Sequence, residues 1–413
     1  MASTSGTDAA MPLPLPTPTP RRLGLLVALG ALTAFGPMSL DFYLPAFPSV
    51  ASSLGVAVGD VQLTFSACLL GLGLGQLVYG PLSDRYGRKP PLVAGLVLYV
   101  VASLLCALAP SLAALTALRL LQGLGGCAGI VIARAIVRDC YSGRGLARAF
   151  SVTSTVSMLA PLLAPTLGAT ILQWTTWRGI FAVIATFGLA CLLVAWRLPE
   201  THPDHHRTDH GVLDAAREYV VIGRQRAFAV PASIAALGAA TLFAYISSSP
   251  AVFIGGYGVS PAGFAGIFAL LASVYVAGAQ TNLRLVRRVD VHALLRAYLT
   301  ASSLALVVLV VVTARHAPLA VVLAVLAVTK FCLGWILPNA TAETMAPFAR
   351  RAGSASALMG MAQMVLGALA AALLASLVLA PAVGMSGVML VTSGLSLALT
   401  AVRVRRSADV DAA

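Results

Sequence analysis

Charge is what this sequence has little of. Asp, Glu, Lys and Arg make up 10% of its 413 residues, against about 25% in an average soluble protein. That scarcity excludes an ordinary soluble domain, whose surface needs charged side chains to stay in water. Acids are scarcer than bases, 14 against 27, which leaves a net charge of +13. No CxxC spacing occurs, and the six cysteines (Cys68, Cys106, Cys127, Cys140, Cys191 and Cys332) lie in or at the edge of apolar runs. They read as small apolar packing groups, not as a disulfide framework or a metal site. No GxxxxGK[ST] phosphate loop is present, which argues against ATP drive. The sequence gives no reason to expect a cofactor. The opening MASTSGTDAAMPLPLPTPTPRR lacks the basic, apolar and cleavage-site order of a secretory signal. Residues 1–22 read as a disordered cytoplasmic tail.

Apolar residues make up 59% of the chain, and its mean hydropathy is +0.91. One membrane crossing needs about 20 predominantly apolar residues. Such runs fall at 23–47, 60–82, 90–109, 112–134, 147–172, 178–198, 228–254, 262–283, 293–313, 317–339, 353–379 and 383–402. The fold class this implies is an all-α membrane protein with twelve transmembrane helices. The longest polar stretch, RLPETHPDHHRTDHGVLDAAREYVVIGRQR, lies between the sixth and seventh runs. It divides the chain into a six-helix half at 23–198, a cytoplasmic linker at 199–227, a second half at 228–403 and a tail at 404–413.

The basic residues set the orientation. With the N-terminus inside, the inner loops and tails collect Arg21, Arg22, Arg85, Arg88, Lys89, Arg134, Arg138, Arg144, Arg148, Arg197, Arg284, Arg287, Arg288, Arg296, Arg350 and Arg351, among others. The outer loops hold Arg178 and Arg315. This is the positive-inside bias, so both termini are expected in the cytoplasm. The positive charge reads as an orientation signal and a contact with lipid headgroups, not as a nucleic-acid footprint.

Three charges are expected at membrane depth: Asp41 in the first run, Arg119 in the fourth and Lys330 in the tenth. Glu343 sits near the inner end of the tenth. A carboxylate at the bilayer centre costs about 2.5–3.5 kcal/mol on insertion scales, so Asp41 points to a water-lined cavity or a proton route. An acid balanced between burial and a nearby cation can load and release a proton near neutral pH. A plainer reading is that Asp41 caps a break in the span, helped by Pro37 and Pro45. Arg119 is always charged and needs an acid, carbonyls or water. Gln122 shares its helix face. Lys330 either contacts cargo, balances Asp41, or snorkels to the interface. Two deep bases against one deep acid disfavour a dication as cargo, which leaves neutral or anionic amphiphiles.

GPLSDRYGRKP at 80–90 fits G-x-L-x-D-R-x-G-R-K-P at every fixed position. It resembles the signature loop of the major facilitator superfamily, and NLRLVRRVD at 282–290 is a degraded echo in the second half. ALRLLQGLGGCAG (117–129) leads into IARAIVRDCY (132–141) and is similar to that family's R-x-x-Q-G segment. APLLAPTLG (160–168) resembles the antiporter-associated motif, with alanines at some usual glycine positions. SLDFYLPAFP, WRGIF, LPET and RAGSASALMG resemble stretches of the Bcr/CflA-type drug-efflux branch. The resemblance implies two pseudo-symmetric six-helix bundles working by alternating access. It also implies a drug–proton antiporter of the bacterial inner membrane that acts as a monomer. Asp41 and Arg119 would couple the proton, and Tyr43, Gln122 and Lys330 would line the substrate cavity. Gly80, Asp84, Arg85, Gly87, Arg88, Lys89 and Asp139 would form the cytoplasmic gate, with Asp84, Arg88 and Asp139 as its charge cluster. Some relatives carry a second acid two turns before the span 1 aspartate, where this chain has Thr33.

The same machine exporting a metabolite, such as an amino acid or a peptide-like compound, is the alternative. A membrane-embedded enzyme would want paired acids or a metal cluster, and only HPDHHRTDH (202–210) offers one. That stretch reads instead as a flexible solvated loop. A channel is a third class, separable by counterflow against a gradient. Gly/Ala-rich stretches such as GLGLGQ (71–76) suit close helix packing.

Overall fold

A computed structural model describes residues 20–203, 207, 212–377 and 379–411; the side chains of 20–23, 144, 350 and 401–411 are not described. The chain is helical almost throughout. In order the helices are α1 (Pro20–Thr33), α2 (Phe35–Leu40), α3 (Phe47–Leu54), α4 (Gln62–Tyr86), α5 (Lys89–Ala107), α6 (Leu112–Cys140), α7 (Gly143–Ile171) and α8 (Trp177–Arg197). After the linker come α9 (Val212–Gly223), α10 (Arg226–Pro250), α11 (Pro261–Leu285), α12 (Val291–Ala314), α13 (Leu319–Met345), α14 (Ala352–Ser376) and α15 (Pro381–Asp411). Among the described residues, eleven helices are long and apolar enough to cross a membrane. Counting the bent pair at the start as one span makes twelve.

A straight helix rises 1.5 Å per residue, so about 20 residues match a 30 Å hydrocarbon layer. Inside such a layer every backbone N–H must be satisfied within the chain, and a helix does this locally. The outward faces carry the lipid-facing residues. On α5, Val97, Val101, Leu104 and Leu105 are all exposed, a surface no soluble monomer keeps. The inward faces carry small residues. Between α4 and α6, a Cβ on Gly71 would stand 2.1 Å from the Leu120 carbonyl, and one on Gly123 would stand 2.1 Å from the Cys68 carbonyl. The two backbones meet because neither glycine has a side chain.

The halves join along two seams, α4 against α14 and α7 against α11. On the first, Ser66 Oγ donates to the Ala368 carbonyl at 2.6 Å.

Three boundaries differ from the sequence reading. The first span continues past residue 47 to Leu54 and is broken, with its two parts bent by 48°. Pro37, Pro45 and Pro48 lack the N–H that would continue the ladder, and Asp41 lies in the turn between α2 and a short 3-10 turn, Leu44–Ala46. The linker is not all loop, since α9 occupies Val212–Gly223. The last helix runs on to Asp411 through the expected tail. Residues 1–19 of the expected N-terminal tail lie outside the described residues, as do His205, His206 and His210 of the histidine stretch. Among the described residues no cluster of metal-ligating side chains occurs.

Candidate functional site: a buried polar layer and a latched end

The break in the first span lies beside polar groups buried in the interior of the protein. Asp41 is 6% exposed, Arg119 0% and Lys330 2%. Arg119 does not pair with Asp41. Its Nη2 donates to the Ser39 carbonyl at 2.7 Å, and its Nη1 donates to Gln122 Oε1. The guanidinium lies 4.9 Å from the Tyr43 ring centroid and 5.7 Å from that of Phe181. Gln122 Nε2 in turn donates to Ser103 Oγ at 2.7 Å, and Ser103 Oγ to the Tyr99 carbonyl at 2.6 Å. Tyr99 closes the ring, its hydroxyl 3.0 Å from Ser39 Oγ. The physical cause is the broken helix. A carbonyl released from the ladder near Pro37 and the turn is a free acceptor, and a buried guanidinium needs one.

Asp41 therefore sits two residues beyond a clamped carbonyl, with no hydrogen bond or ion pair of its own carboxylate among the described residues. Tyr43 accepts from Thr64 Oγ1 at 3.3 Å. The broken segment also reaches the second half, since the 3-10 turn packs on α10 and α11.

Lys330 lies on α13, about 16 Å along from its first residue at 1.5 Å per residue. It does not snorkel. Its Nζ is buried without a hydrogen-bond partner and stands 3.5 Å from the centroid of the Tyr245 ring. The Tyr245 hydroxyl is buried and unpaired as well.

At the end that carries the basic loops, Arg88 gathers the charge cluster. Its Nε donates to Asp139 at 2.8 Å, its Nη2 to Asp139 at 3.3 Å and its Nη1 to Ser83 Oγ at 3.0 Å, and it also bonds Asp84. Glu200, from the LPET stretch, caps the start of α5. It accepts from the Arg88 and Lys89 backbone N–H groups at 2.8 and 3.0 Å, and from Thr201 and His202. Partial burial works to raise the Glu200 pKa, and these four donors outweigh it, so the carboxyl stays below its ordinary 4.5. Gly87 has φ +87°, and a Cβ there would stand 2.6 Å from Glu200 Oε2. Gly80 has neither a positive φ nor a close neighbour. It is mid-helix, with nothing within 4 Å of where its Cβ would stand. Arg85 is exposed, 5.4 Å from the Tyr86 ring centroid.

The linker helix α9 straddles the halves at this end. The Tyr219 hydroxyl donates to the Leu77 carbonyl of α4 at 3.3 Å. Ser354 of α14 donates to Glu218 at 2.8 Å, with Arg351 Nε 3.8 Å from the same carboxylate. Under this strap lies a cavity of about 690 Å³, lined by Asp84, Arg88, Arg134, Arg138, Asp139 and Glu218 among others.

The second half answers the cluster differently. There Asn282 and Asn339 exchange amide hydrogen bonds at 3.0 Å, Asp290 caps α12, and His292 Nδ1 lies 2.7 Å from Glu343 Oε1.

Sequence reasoning missed Glu200, Tyr245 and α9. LPET was visible as a motif without a role. The spacing of Tyr219 and Ile222, both buried, was the available signal for an amphipathic helix. Nothing in the sequence pointed to Tyr245.

Residues 27–372 match the Major Facilitator Superfamily. The chain is 36% identical over 384 residues to YdgK of Bacillus subtilis (strain 168), whose name is that of an MFS-type transporter, covering 92% of this chain and 93% of that one. It is 31% identical over 359 residues to a bicyclomycin resistance protein homolog of Haemophilus influenzae, covering 85% and 89%. A chloramphenicol resistance protein of Pseudomonas aeruginosa is 35% identical over 241 residues, 58% and 56% of the two chains. Among solved structures, a D-xylose–proton symporter shares the fold with a TM-score of 0.73 at 15% identity, covering 92% of this chain and 97% of that one. The chain therefore belongs to the major facilitator superfamily of membrane transporters.

Proposed function

We propose that this transporter exports small amphiphilic drugs across the bacterial cytoplasmic membrane in exchange for protons, by alternating access. The observation that carries the reading is Asp41. A carboxylate buried in a broken span, with no partner of its own, is expensive to keep unless it titrates. A proton arriving from outside neutralises Asp41 and favours release of cargo. Its departure to the cytoplasm resets the site. Arg119 holds the segment through the Ser39 carbonyl, so it acts on Asp41 by position and by its charge. Tyr43, Gln122 and Lys330 face the same layer as candidate cargo contacts. The basic loops place both termini in the cytoplasm. The Arg88 cluster with the α9 strap is then the cytoplasmic gate, closed in this state. The likeness to relatives named for bicyclomycin and chloramphenicol resistance supports drugs as the cargo. The carrier is read as a monomer in contact with anionic lipid.

The test is drug transport in proteoliposomes under an imposed pH gradient. The wild type is expected to move a phenicol or bicyclomycin against its gradient, and Asp41→Asn to bind it but lose the pH drive. Full pH-driven transport by Asp41→Asn sinks the coupling role. A wild type that moves no drug shifts the reading to a metabolite.

A further inference from the structure

Membrane proteins receive lipophilic cations on aromatic faces, where the ring quadrupole attracts positive charge. In this chain the faces of Tyr245, Tyr43 and Phe181 are already approached by the chain's own cations. Lys330 Nζ sits 3.5 Å from the Tyr245 centroid. Arg119 Cζ lies 4.9 Å from the Tyr43 centroid and 5.7 Å from that of Phe181. The Phe268 ring also stacks with Tyr245, at 6.3 Å and an interplanar angle of 26°. The ring thus has both an aromatic neighbour and the ammonium in contact.

The charge count points the same way. Two cations and one acid occupy the layer, and no carboxylate of the described residues lies within ion-pair distance of Lys330 or Arg119. Arg119 has neutral acceptors that fix it in place. Lys330 has none, and its ammonium is buried and unpartnered. A cationic cargo arriving here would have to displace that ammonium from its ring while remaining close to it in a medium that screens poorly. A neutral cargo with acceptor oxygens would instead give the ammonium and the Tyr245 hydroxyl the partners they lack.

We propose that Lys330, seated on Tyr245, sets the charge selectivity of the carrier by excluding lipophilic cations and admitting neutral, acceptor-bearing amphiphiles. This deepens the drug-export reading and rests on it for the site's role. It does not depend on proton coupling.

The experiment measures equilibrium binding of tetraphenylphosphonium to the purified full-length chain in detergent, for the wild type, Lys330→Met and Lys330→Arg. Lys330→Met removes the charge and frees the ring, and is expected to bind the probe roughly tenfold or more tightly than the wild type. Lys330→Arg keeps both charge and ring contact, and should stay with the wild type. Binding by the wild type as tight as by Lys330→Met, or no gain in Lys330→Met, overturns the proposal. Lys330→Gln, uncharged and still polar, is the second variant if Lys330→Met does not fold, as judged by thermal unfolding and gel filtration. Its gain or lack of gain is read the same way. Because the readout is binding, it stands even if the pH-gradient experiment shows no drug transport.

Discussion

The two halves share an architecture and differ in how they hold their charges. In the first half the deep cation and the hub of the charge cluster both have fixed partners. Arg119 is bound to the Ser39 carbonyl and Gln122, and Arg88 to Asp84, Asp139 and Ser83. In the second half the deep cation rests on a ring alone, and the loop pairing is a histidine against Glu343. A guanidinium offers five donors in a fixed fork, whereas an ammonium is a point charge on a flexible stem. The first half is thus built to hold geometry, and the second leaves a charge available to whatever enters.

The hardest blow to this contrast falls on Arg119. Arg119→Met leaves the Ser39 carbonyl and the Gln122 side-chain carbonyl buried without their donor, at about 1–3 kcal/mol for each unsatisfied group. Transport is expected to be abolished and Tm to fall by several degrees. Arg119→Lys should rescue little, since one ammonium cannot span both acceptors. Rescue by lysine, read in the same proteoliposomes, would erase the distinction between the halves.

The gate gives the next largest effect. Arg88→Ala removes the hub of the cluster and should slow drug export on the order of tenfold, whereas His292→Ala should change it by less than about twofold, because the half-exposed imidazole is screened by solvent. Equal losses would mean the halves latch alike.

Gly87→Ala sharpens the comparison at one residue. The positive φ and the 2.6 Å approach to Glu200 predict a cost of about 1–2 kcal/mol. Much of it should vanish in the Gly87→Ala, Glu200→Ala double variant, which clears the clash and leaves the backbone strain. Additive losses in thermal unfolding would show that the capping carboxylate does not shape the loop.

The smallest effect is a pH dependence. The folded pKa of Glu200 lies below 4.5, so its contribution is fully present above pH 4.5 and is lost as pH falls through the depressed value. The Tm gap between the wild type and Glu200→Gln should stay flat from neutral pH down to about 5 and close below that. A gap that closes near neutrality contradicts the capping role.

Much of this was legible in the chain. The apolar runs located the helices to within a few residues outside the first and last, because bilayer thickness and helix rise fix a span's length locally. GPLSDRYGRKP pointed to Asp84 and Arg88 before their contacts were seen. Gly80 of the same motif has no contact that needs a glycine, because a motif does not say which of its positions meet a neighbour. The partner of Arg119 was not legible either. An acid at Asp41 was the expected candidate, and a carbonyl 80 residues away in sequence took the place. The helix α9 was missed because its buried face depends on α4 and α14 for burial, and twelve residues alone are marginal as a helix.

The sequence by itself determined the membrane class, the span count and the identity of the three deep charges. All of these depend on which residues follow one another along the chain. Only the tertiary structure decided that Arg119 clamps a carbonyl, that Lys330 sits on Tyr245 and that a linker helix straps the halves. Each of those pairings joins residues distant in sequence, and only packing brings their atoms within reach.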